Sequence, residues 1–446
     1  MSLVLNLWNK WINRAPPKVS VLPLGYRVVD GQVSKARFAL PLNRRTEHMV
    51  ILGKTGTGKT SLIKSMLARD IRDGHGFLCI DLHGDLTPFI LGRIREQEQA
   101  TEKDLSWRTV IINPGSRDSS VGLNVLRVSG RLSPLISEIV SIFRLRWQLD
   151  RFGARTEELL RNSLSALAEN GLTLLELAPF LTDISVRAPL VERASNAEVK
   201  AYFRSRFEQL SDAMQSVMRE PILNKASAFT IDPEIRYLVG QQSTFDIRDA
   251  LDRGQWIVLQ LNKSELGENS ETLASLILAR FKNAIFARKE RRLFTLYADE
   301  VQNLVANGST FEHLLSEARK FGVSVVTANQ HFGQYSPQMR ATLLSAGTTL
   351  FFRTSPEDAP YIARALDGGG AVERLLKELR NRHFLVRSGG ERWVEVEAEN
   401  VAQTTTPTGE LIERSDARWA KPRRLIEAEI ASRLGTSEKE SLEEWA

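Results

Sequence analysis

Cysteine is almost absent from this sequence, whose 446 residues contain only Cys79. A single cysteine excludes a disulfide framework within the chain and is typical of proteins that fold in a reducing cytosol. Long apolar runs are also missing: no stretch approaches the ~20 residues of a membrane-spanning helix, and the start shows no signal-peptide pattern. With 42% hydrophobic and 26% charged residues, the composition predicts a soluble, cytoplasmic protein, and the length favours about two or three domains.

Acidic residues are scarce at one end of the chain. Residues 1–60 contain ten Lys and Arg residues and only two acidic residues, whereas the whole chain has a net charge of +6. The remainder of the chain is therefore slightly acidic. A basic segment of this kind favours an anionic partner, such as nucleic acid or a lipid surface.

Residues 1–14 have the pattern of a short amphipathic helix that ends before Pro16 and Pro17. Two interpretations stay open. The segment could lie on the surface of the inner membrane, with its tryptophans at the headgroup level, or dock onto the body of the protein or a partner protein. Its apolar residues are Leu3, Val4, Leu5, Leu7, Trp8, Trp11 and Ile12.

Residues 53–60, GKTGTGKT, match the phosphate-binding pattern G-x-x-x-x-G-K-[ST] at every fixed position. The apolar run Met49 to Leu52 before it predicts a buried strand, and helical spacing follows from Ser61. Glycines let backbone N–H groups turn around an anion, and a helix N-terminus adds its positive end. We expect ATP and Mg²⁺ as cofactors, with Lys59 at the β- and γ-phosphates and Thr60 as a metal ligand. The predicted nucleotide-binding residues are Gly53, Thr55, Gly56, Thr57, Gly58, Lys59, Thr60 and Ser61.

A second apolar strand, Phe294 to Ala298, ends in Asp299 and Glu300. Adjacent strand residues point to opposite sides, so the two acids can divide their work. We expect Asp299 to orient Mg²⁺ and Glu300 to polarise the water that attacks the γ-phosphate.

Two further polar residues extend this prediction. Gln330 follows the strand Val323 to Ala328 and could bond both the attacking water and the γ-phosphate; Asn329 is the alternative for that role. Arg319 ends a helix just before the same strand and is a candidate arginine finger for a neighbouring subunit's site. Arg45, shortly before the loop strand, is a second candidate for the finger.

The strand Gly76 to Ile80 ends in the polar segment Asp81-Leu82-His83-Gly84-Asp85. Strand C-termini face the ligand crevice of a parallel sheet, so this segment is expected near the phosphates. We weighed a metal site at His83 with Asp81 and Asp85 against a polar rim or a subunit contact.

The pattern of strands and helices predicts an α/β protein with an interruption. Between about Leu132 and Gly240 strand signals vanish and helical periodicity dominates, with prolines (Pro179, Pro189, Pro221 and Pro233) expected at helix ends. The predicted organisation is an amphipathic segment 1–18, a nucleotide-binding domain formed by 19–130 and 241–405, an all-α insertion at 131–240, and a helical polar tail at 406–446. Residues 19–42 predict a small antiparallel β-element.

Several segments together resemble the additional-strand, RecA-like motor ATPases, in the FtsK/HerA branch that includes conjugative coupling proteins of the TraG/TraD type. The resemblance covers roughly residues 24–370. It departs from coupling proteins at Leu82, where proline is common, and in showing no N-terminal membrane spans. The segments that carry it are 53–60, 81–86, 112–114, 123–124, 161–162, 223–225, 299–300, 316–322 and Gln330.

The resemblance implies an α/β, RecA-like P-loop fold with a mainly parallel sheet, and a homo-hexameric ring that translocates DNA with ATP. It implies catalytic roles for Lys59, Glu300 and Gln330, with Arg319 acting in a neighbouring subunit. Two other functions stay open at this point. One is an ATPase that energises protein transfer or assembly in a secretion-type machine, and the other is a nucleotide-dependent oligomeric scaffold for a partner effector.

Overall fold

The computed structural model describes residues 21–435, apart from 147, 149–152, 268 and 301–307. The predicted amphipathic segment 1–14 and the acidic end of the chain lie outside the described residues. Thirteen strands are present among the described residues. They are β1 Val21–Val29, β2 Gln32–Pro41, β3 Met49–Leu52, β4 Gly76–Asp81, β5 Thr109–Ile112, β6 Ser119–Val121, β7 Trp256–Gln260, β8 Phe294–Asp299, β9 Val323–Asn329, β10 Thr348–Phe351, β11 His383–Ser388, β12 Val394–Ala398 and β13 Ala420–Pro422.

The α-helices of the described residues alternate with these strands in both halves of the chain and run without interruption by strands between β6 and β7. They are α1 Leu42–Arg45, α2 Lys59–Asp73, α3 Thr87–Thr101, α4 Leu132–Arg146, α5 Ala154–Glu169, α6 Leu177–Thr182, α7 Ile184–Arg193, α8 Ala197–Tyr202, α9 Asp212–Ile231, α10 Pro233–Val239, α11 Ile247–Arg253, α12 Lys263–Leu266, α13 Asn269–Ile285, α14 Gly308–Glu317, α15 Pro337–Leu344, α16 Ala359–Ala365, α17 Gly369–Glu378, α18 Gly409–Trp419 and α19 Arg423–Leu434. In this part of the chain, no helix has the length and hydrophobicity needed to cross a membrane.

Eleven strands form one sheet in the order β2-β1-β12-β11-β10-β3-β9-β8-β4-β7-β5. The seven from β10 to β5 are all parallel. Parallel strands covered on both faces are continuously apolar, and every residue of β3 and of β5 is buried. The mainly parallel α/β fold predicted from the sequence is confirmed.

The β-element predicted at residues 19–42 is the antiparallel hairpin β1–β2. It is continuous with the central sheet, because β1 pairs with β12, β12 with β11, and β11 with β10, all antiparallel. We call the strands β11, β12, β1 and β2 the antiparallel extension. This extension places the loop before β11 against the glycine loop, where the N–H of Arg382 donates to the carbonyl of Thr57.

Helices α4 to α11 lie between β6 and β7, and their apolar faces join one large hydrophobic core with the sheet. The division of the chain into domains stays a prediction. The expectation for the prolines was wrong at two positions, because Pro189 lies inside α7 and Pro221 inside α9. A proline in a helix removes one hydrogen bond, and burial of apolar side chains on α9, such as Ile222 and Phe229, compensates for that loss.

The C-terminal helices pack against the rest of the described chain. On α18, Ser415 Oγ donates to the carbonyl of Thr109 on the edge strand β5 at 2.9 Å. Between α18 and α19, β13 pairs with β6. Ile426 and Ile430 of α19 are buried against Leu175 and Tyr237 of the helical region. Helix α18 therefore lies against the β5 edge of the sheet, and α19 lies against the helical region.

Candidate nucleotide site

The glycine loop between β3 and α2 is held at both neighbouring strand ends. The N–H of Gly53 donates to the carbonyl of Asn329 at 3.1 Å, and the N–H of Lys54 donates to that of Arg353 at 2.9 Å. Gly56 and Gly58 have φ values of 77° and 113°, which L side chains rarely adopt. Gly56 and Gly58 are therefore required by the backbone conformation of the loop.

Lys59 begins α2 and its ammonium lies inside the loop. Its Nζ donates to the carbonyls of Gly53 and Lys54 at 2.6 and 2.9 Å. Burial lowers the pKa of Lys59 below its ordinary value, while the carboxylates of Asp299 and Glu300 act in the opposite direction. An ammonium held by backbone carbonyls at the start of a helix is positioned to bind a polyphosphate.

The strand ends that carry the site lie at one level of the sheet. In the register, Leu52 of β3 is opposite Asn329 of β9, and Ala328 of β9 is opposite Asp299 of β8. Because adjacent strands are about 4.8 Å apart and β9 lies between β3 and β8, the ends of β3 and β8 are about 10 Å apart. The two segments that the sequence predicted to form one pocket are therefore brought together.

Asp299 ends β8 and accepts a hydrogen bond from Thr60 Oγ1 at 3.3 Å. Burial raises the pKa of Asp299 above its ordinary value, and the charge of Lys59 partly opposes this change. The Thr60 hydroxyl and the Asp299 carboxylate are both hard oxygen donors. Mg²⁺ is usually held by one or two protein ligands together with phosphates and waters. Thr60 and Asp299 therefore fit a magnesium ion that also contacts a nucleotide.

The direction of the Glu300 side chain differs from the sequence prediction. It was predicted to point to the opposite side of the strand from Asp299, but the strand ends at Asp299 and Glu300 has a φ of 55°. This left-handed turn is uncommon outside glycine and is often found at functional sites. As a result, both carboxylates face the same cleft.

Gln330 connects the loop to Glu300. Its Oε1 accepts from Thr55 Oγ1 at 3.1 Å, and its Nε2 donates to Glu300 Oε1 at 2.5 Å. Asn329, the alternative predicted from the sequence, is fully buried and its amide oxygen accepts from the hydroxyl of Tyr335. Gln330 is therefore the amide that reaches the cleft.

His83 also contacts Glu300, with Nε2 2.8 Å from Oε2. The metal site considered for His83, Asp81 and Asp85 finds no support. Both carboxylate oxygens of Asp81 accept hydrogen bonds from the start of α3 and the turn before it. Nor do the described residues contain any cluster of three or more His, Cys, Asp or Glu that could hold a metal.

One cleft of about 550 Å³ collects these side chains. Six predicted residues of the loop line it, and Thr57 is buried beneath, where its hydroxyl donates to the carbonyl of Lys54 at 2.7 Å. Asn381 and Arg382, from the loop before β11, complete the wall. Sequence reasoning missed both, because a short polar loop before a strand carries no motif. The loop residues lining the cleft are Thr55, Gly56, Gly58, Lys59, Thr60 and Ser61.

The two candidate finger arginines have different surroundings. Arg319 is 62% exposed and its guanidinium contacts Glu47 at 3.2 Å. It lies at the N-terminal ends of the parallel strands, away from the cleft of its own chain. Arg45 is buried and forms a bidentate pair with Asp70 at 2.5 and 2.8 Å. This buried pair prevents Arg45 from reaching a neighbouring subunit.

The strand order, with β9 inserted between the loop strand and the carboxylate strand, defines a P-loop NTPase of the additional-strand, RecA-like class. The family model described as "Helicase HerA, central domain" matches residues 27–281, which is more than half of the chain. The chain belongs to this family of HerA-type P-loop motor ATPases. The FtsK/HerA branch predicted from the sequence is thereby confirmed.

Solved structures share the fold at low identity. The bacterial conjugative coupling protein TrwB is 17% identical, with a TM-score of 0.61 over 90% of this chain and 93% of its own. A TrwB structure in complex with ADP and Mg²⁺ is 17% identical, with a TM-score of 0.59 over 88% of this chain and 98% of its own. VirB4 of Thermoanaerobacter pseudethanolicus is 17% identical, with a TM-score of 0.55 over 86% and 98%. No curated protein matches the sequence.

Proposed function

We propose that this chain is an ATP-hydrolysing ring motor that binds and translocates DNA. The observation that carries the proposal is the cleft in which Lys59, Thr60, Asp299, Glu300 and Gln330 meet at the ends of three adjacent strands. Membership of the HerA family supports a motor. The TrwB structure that contains ADP and Mg²⁺ has the same fold and supports ATP and Mg²⁺ as the ligands.

The polar residues that carry the proposal have separate roles. Lys59 and the loop N–H groups would bind the phosphates, and Thr60 with Asp299 would hold Mg²⁺, which would supply positive charge beside the phosphates. Glu300 accepts a proton from the water that attacks the γ-phosphorus. Gln330 and His83 both contact the Glu300 carboxylate and hold it in the cleft.

The proposed assembly is a homo-hexamer in which Arg319 completes the cleft of the next subunit. An exposed arginine away from its own cleft suits that role, because a finger must leave its own surface to contact a neighbour's phosphate. We propose that residues 19–130 and 241–405 form the motor domain, that 131–240 form an inserted helical domain, and that residues 1–14 dock on a membrane surface or a partner protein.

The test is ATP hydrolysis by the purified protein with and without single- and double-stranded DNA. We expect DNA to stimulate hydrolysis, with an affinity that falls steeply as salt is added, because phosphate contacts dominate such binding. Lys59→Ala and Glu300→Gln should abolish turnover at unchanged melting temperature.

Hydrolysis that no DNA or RNA stimulates would reject the translocase. A polypeptide cargo that stimulates it instead would indicate a protein-transfer ATPase. Slow turnover with nucleotide-dependent oligomerisation would indicate a scaffold for an effector.

A further inference from the structure

The loop before β11 lies directly against the glycine loop. The N–H of Arg382 donates to the carbonyl of Thr57 at 2.8 Å. A Cβ added at Gly58 would come within 3.2 Å of the Arg382 Cα and 3.4 Å of its N and Cγ. Arg382 therefore lies so close to the backbone of Gly58 that a side chain at position 58 would be crowded.

Arg382 has an unusual backbone conformation at this point. Its φ is 68°, a region that residues other than glycine rarely occupy. The conformation is fixed from both sides, because the carbonyl of Arg382 accepts from the N–H of Ala398 at 2.8 Å while its own N–H is held by Thr57. Such conformations persist where the surrounding structure enforces them, often at functional sites.

The Arg382 side chain is oriented by a carboxylate on the neighbouring strand β12. Its Nη2 donates to Glu397 Oε1 at 2.6 Å, and the side chain remains 39% exposed. A guanidinium has five N–H donors in a fixed fork that matches phosphate oxygens. Glu397 engages one end of the fork and leaves the other donors available at the cleft wall.

The lining of the cleft contains more acidic than basic side chains. Four carboxylates line the cleft, and the only Lys or Arg residues among the described lining are Lys59 and Arg382. A nucleoside triphosphate brings further negative charge into this cleft, and charge-assisted hydrogen bonds from a guanidinium to phosphate oxygens compensate for part of it. The four carboxylates belong to Asp81, Asp85, Asp299 and Glu300.

We propose that Arg382 binds the α- and β-phosphates of the nucleotide held by its own chain, and that Glu397 positions the guanidinium. The assignment rests on the proposed nucleotide-binding function. The α- and β-phosphates are favoured because Arg382 is hydrogen-bonded to Thr57 and lies against Gly58, and the backbone of both residues belongs to the loop that surrounds these phosphates. The groups expected at the γ-phosphate, Glu300 and Gln330, come from other strands.

The test compares Arg382→Asn and Arg382→Lys with the control Arg380→Ala. Asparagine tolerates the left-handed backbone but lacks the charge, and Arg380 is exposed on the same loop outside the cleft lining. Equilibrium binding of ADP and of a non-hydrolysable ATP analogue is measured with Mg²⁺. We expect Arg382→Asn to weaken both by about tenfold or more, with KM raised more than kcat is lowered. Arg382→Lys should restore part of the affinity, and Arg380→Ala should bind like the unaltered chain.

Three outcomes would overturn the assignment while leaving the proposed function intact. The first is unchanged affinity of Arg382→Asn for both nucleotides when Lys59→Ala has lost binding. The second is a loss confined to the ATP analogue, which would place the guanidinium at the γ-phosphate. The third is a lowered melting temperature of Arg382→Asn without nucleotide that accounts for the whole effect. If the unaltered chain binds neither nucleotide, the proposed function itself fails.

Discussion

The contact between helix α2 and strand β8 has two ends with opposite character. At one end, Thr60 meets Asp299 at the open cleft. At the other, Asp70 accepts from the hydroxyl of Tyr297 at 2.7 Å and pairs with Arg45. Ten helical residues, about 15 Å, separate Thr60 from Asp70, whereas Tyr297 lies only two residues, about 7 Å, before Asp299; the long tyrosine side chain reaches the farther position on the helix. The same packing of helix on strand thus supports both ends.

The two ends of the contact contain similar residue types. They differ in how far hydrogen bonds within the protein satisfy the charged groups and in how exposed those groups are. Arg45 also donates to Thr295 and Tyr297, at 3.0 and 3.1 Å, so the buried network satisfies its charges internally. Burial opposes the charged form, but Asp70 and Tyr297 outweigh this and raise the pKa of Arg45. At the cleft, the charged groups stay accessible to a ligand. The buried end is expected to determine stability, and the open end activity.

The largest expected effect concerns Arg319, the exposed counterpart of Arg45. Arg319→Ala should lower DNA-stimulated turnover by about 10³-fold, since that is the usual contribution of an arginine finger, with nucleotide affinity nearly unchanged. Subunits carrying Arg319→Ala, when mixed with subunits carrying Lys59→Ala, should recover activity, because some interfaces then combine an intact loop with an intact arginine. A mixture as inactive as its components, at equal oligomer yield, would contradict action between subunits.

The second prediction concerns stability and removes the buried ion pair between Arg45 and Asp70. Asp70→Asn leaves the Arg45 guanidinium buried beside a neutral amide and should lower the free energy of unfolding by about 3–5 kcal/mol. Urea unfolding measures it. The matched control is Asp73→Asn on the same helix, whose 2.7 Å pair with Arg69 is partly exposed and should contribute less than about 1 kcal/mol. Equal losses from the two variants would mean that the buried network has no special weight.

The smallest expected effect is on the pH dependence of stability, and it concerns His48, which precedes β3. Its Nδ1 accepts from the N–H of Val325 at 3.1 Å, and burial, with the charge of Arg319, lowers its pKa from 6.5 to about 4. The unfolded chain therefore binds a proton that the folded chain excludes. The neutral ring stabilises the fold fully above pH 6.5, and this contribution, up to ~3 kcal/mol, is lost as the pH falls towards 4.

Unfolding of the unaltered chain and of His48→Asn at several pH values tests this sign. Asparagine keeps an acceptor and tolerates the φ of 68° at this position. The stability difference between the two chains should shrink as the pH falls below 6.5. A difference that stays constant with pH would show that His48 does not titrate as described.

Local features of the chain were predictable from the sequence. The loop at Gly53–Thr60 and the strand ending in Asp299 are recognisable because their chemistry requires particular residues in consecutive positions. Continuous apolar runs located the buried strands, since a strand covered on both faces must be apolar along its length. The relation between these segments followed from the rule that parallel strands present their C-terminal ends together.

Features that depend on register between distant segments were not predictable. Arg45 and Arg319 look alike in the sequence, and only the packing of α2 on β8 buries the first. Arg382 reaches the loop because β11 and β12 extend the central sheet, and the contact between His83 and Glu300 depends on the left-handed turn at Glu300. Pro221 lies inside α9 because burial of apolar side chains on that helix compensates for the hydrogen bond that the proline removes.

Equilibrium binding of a non-hydrolysable ATP analogue, with Mg²⁺ and with Mg²⁺ removed by chelation, tests the central claim most directly. If the loop and the end of β8 form one site, the unaltered chain should bind one nucleotide, and metal removal should weaken binding by about tenfold or more. Asp299→Asn should bind weakly under both conditions. Affinity that is independent of Mg²⁺ and identical in Asp299→Asn would contradict the claim that the two segments share a single metal–nucleotide site.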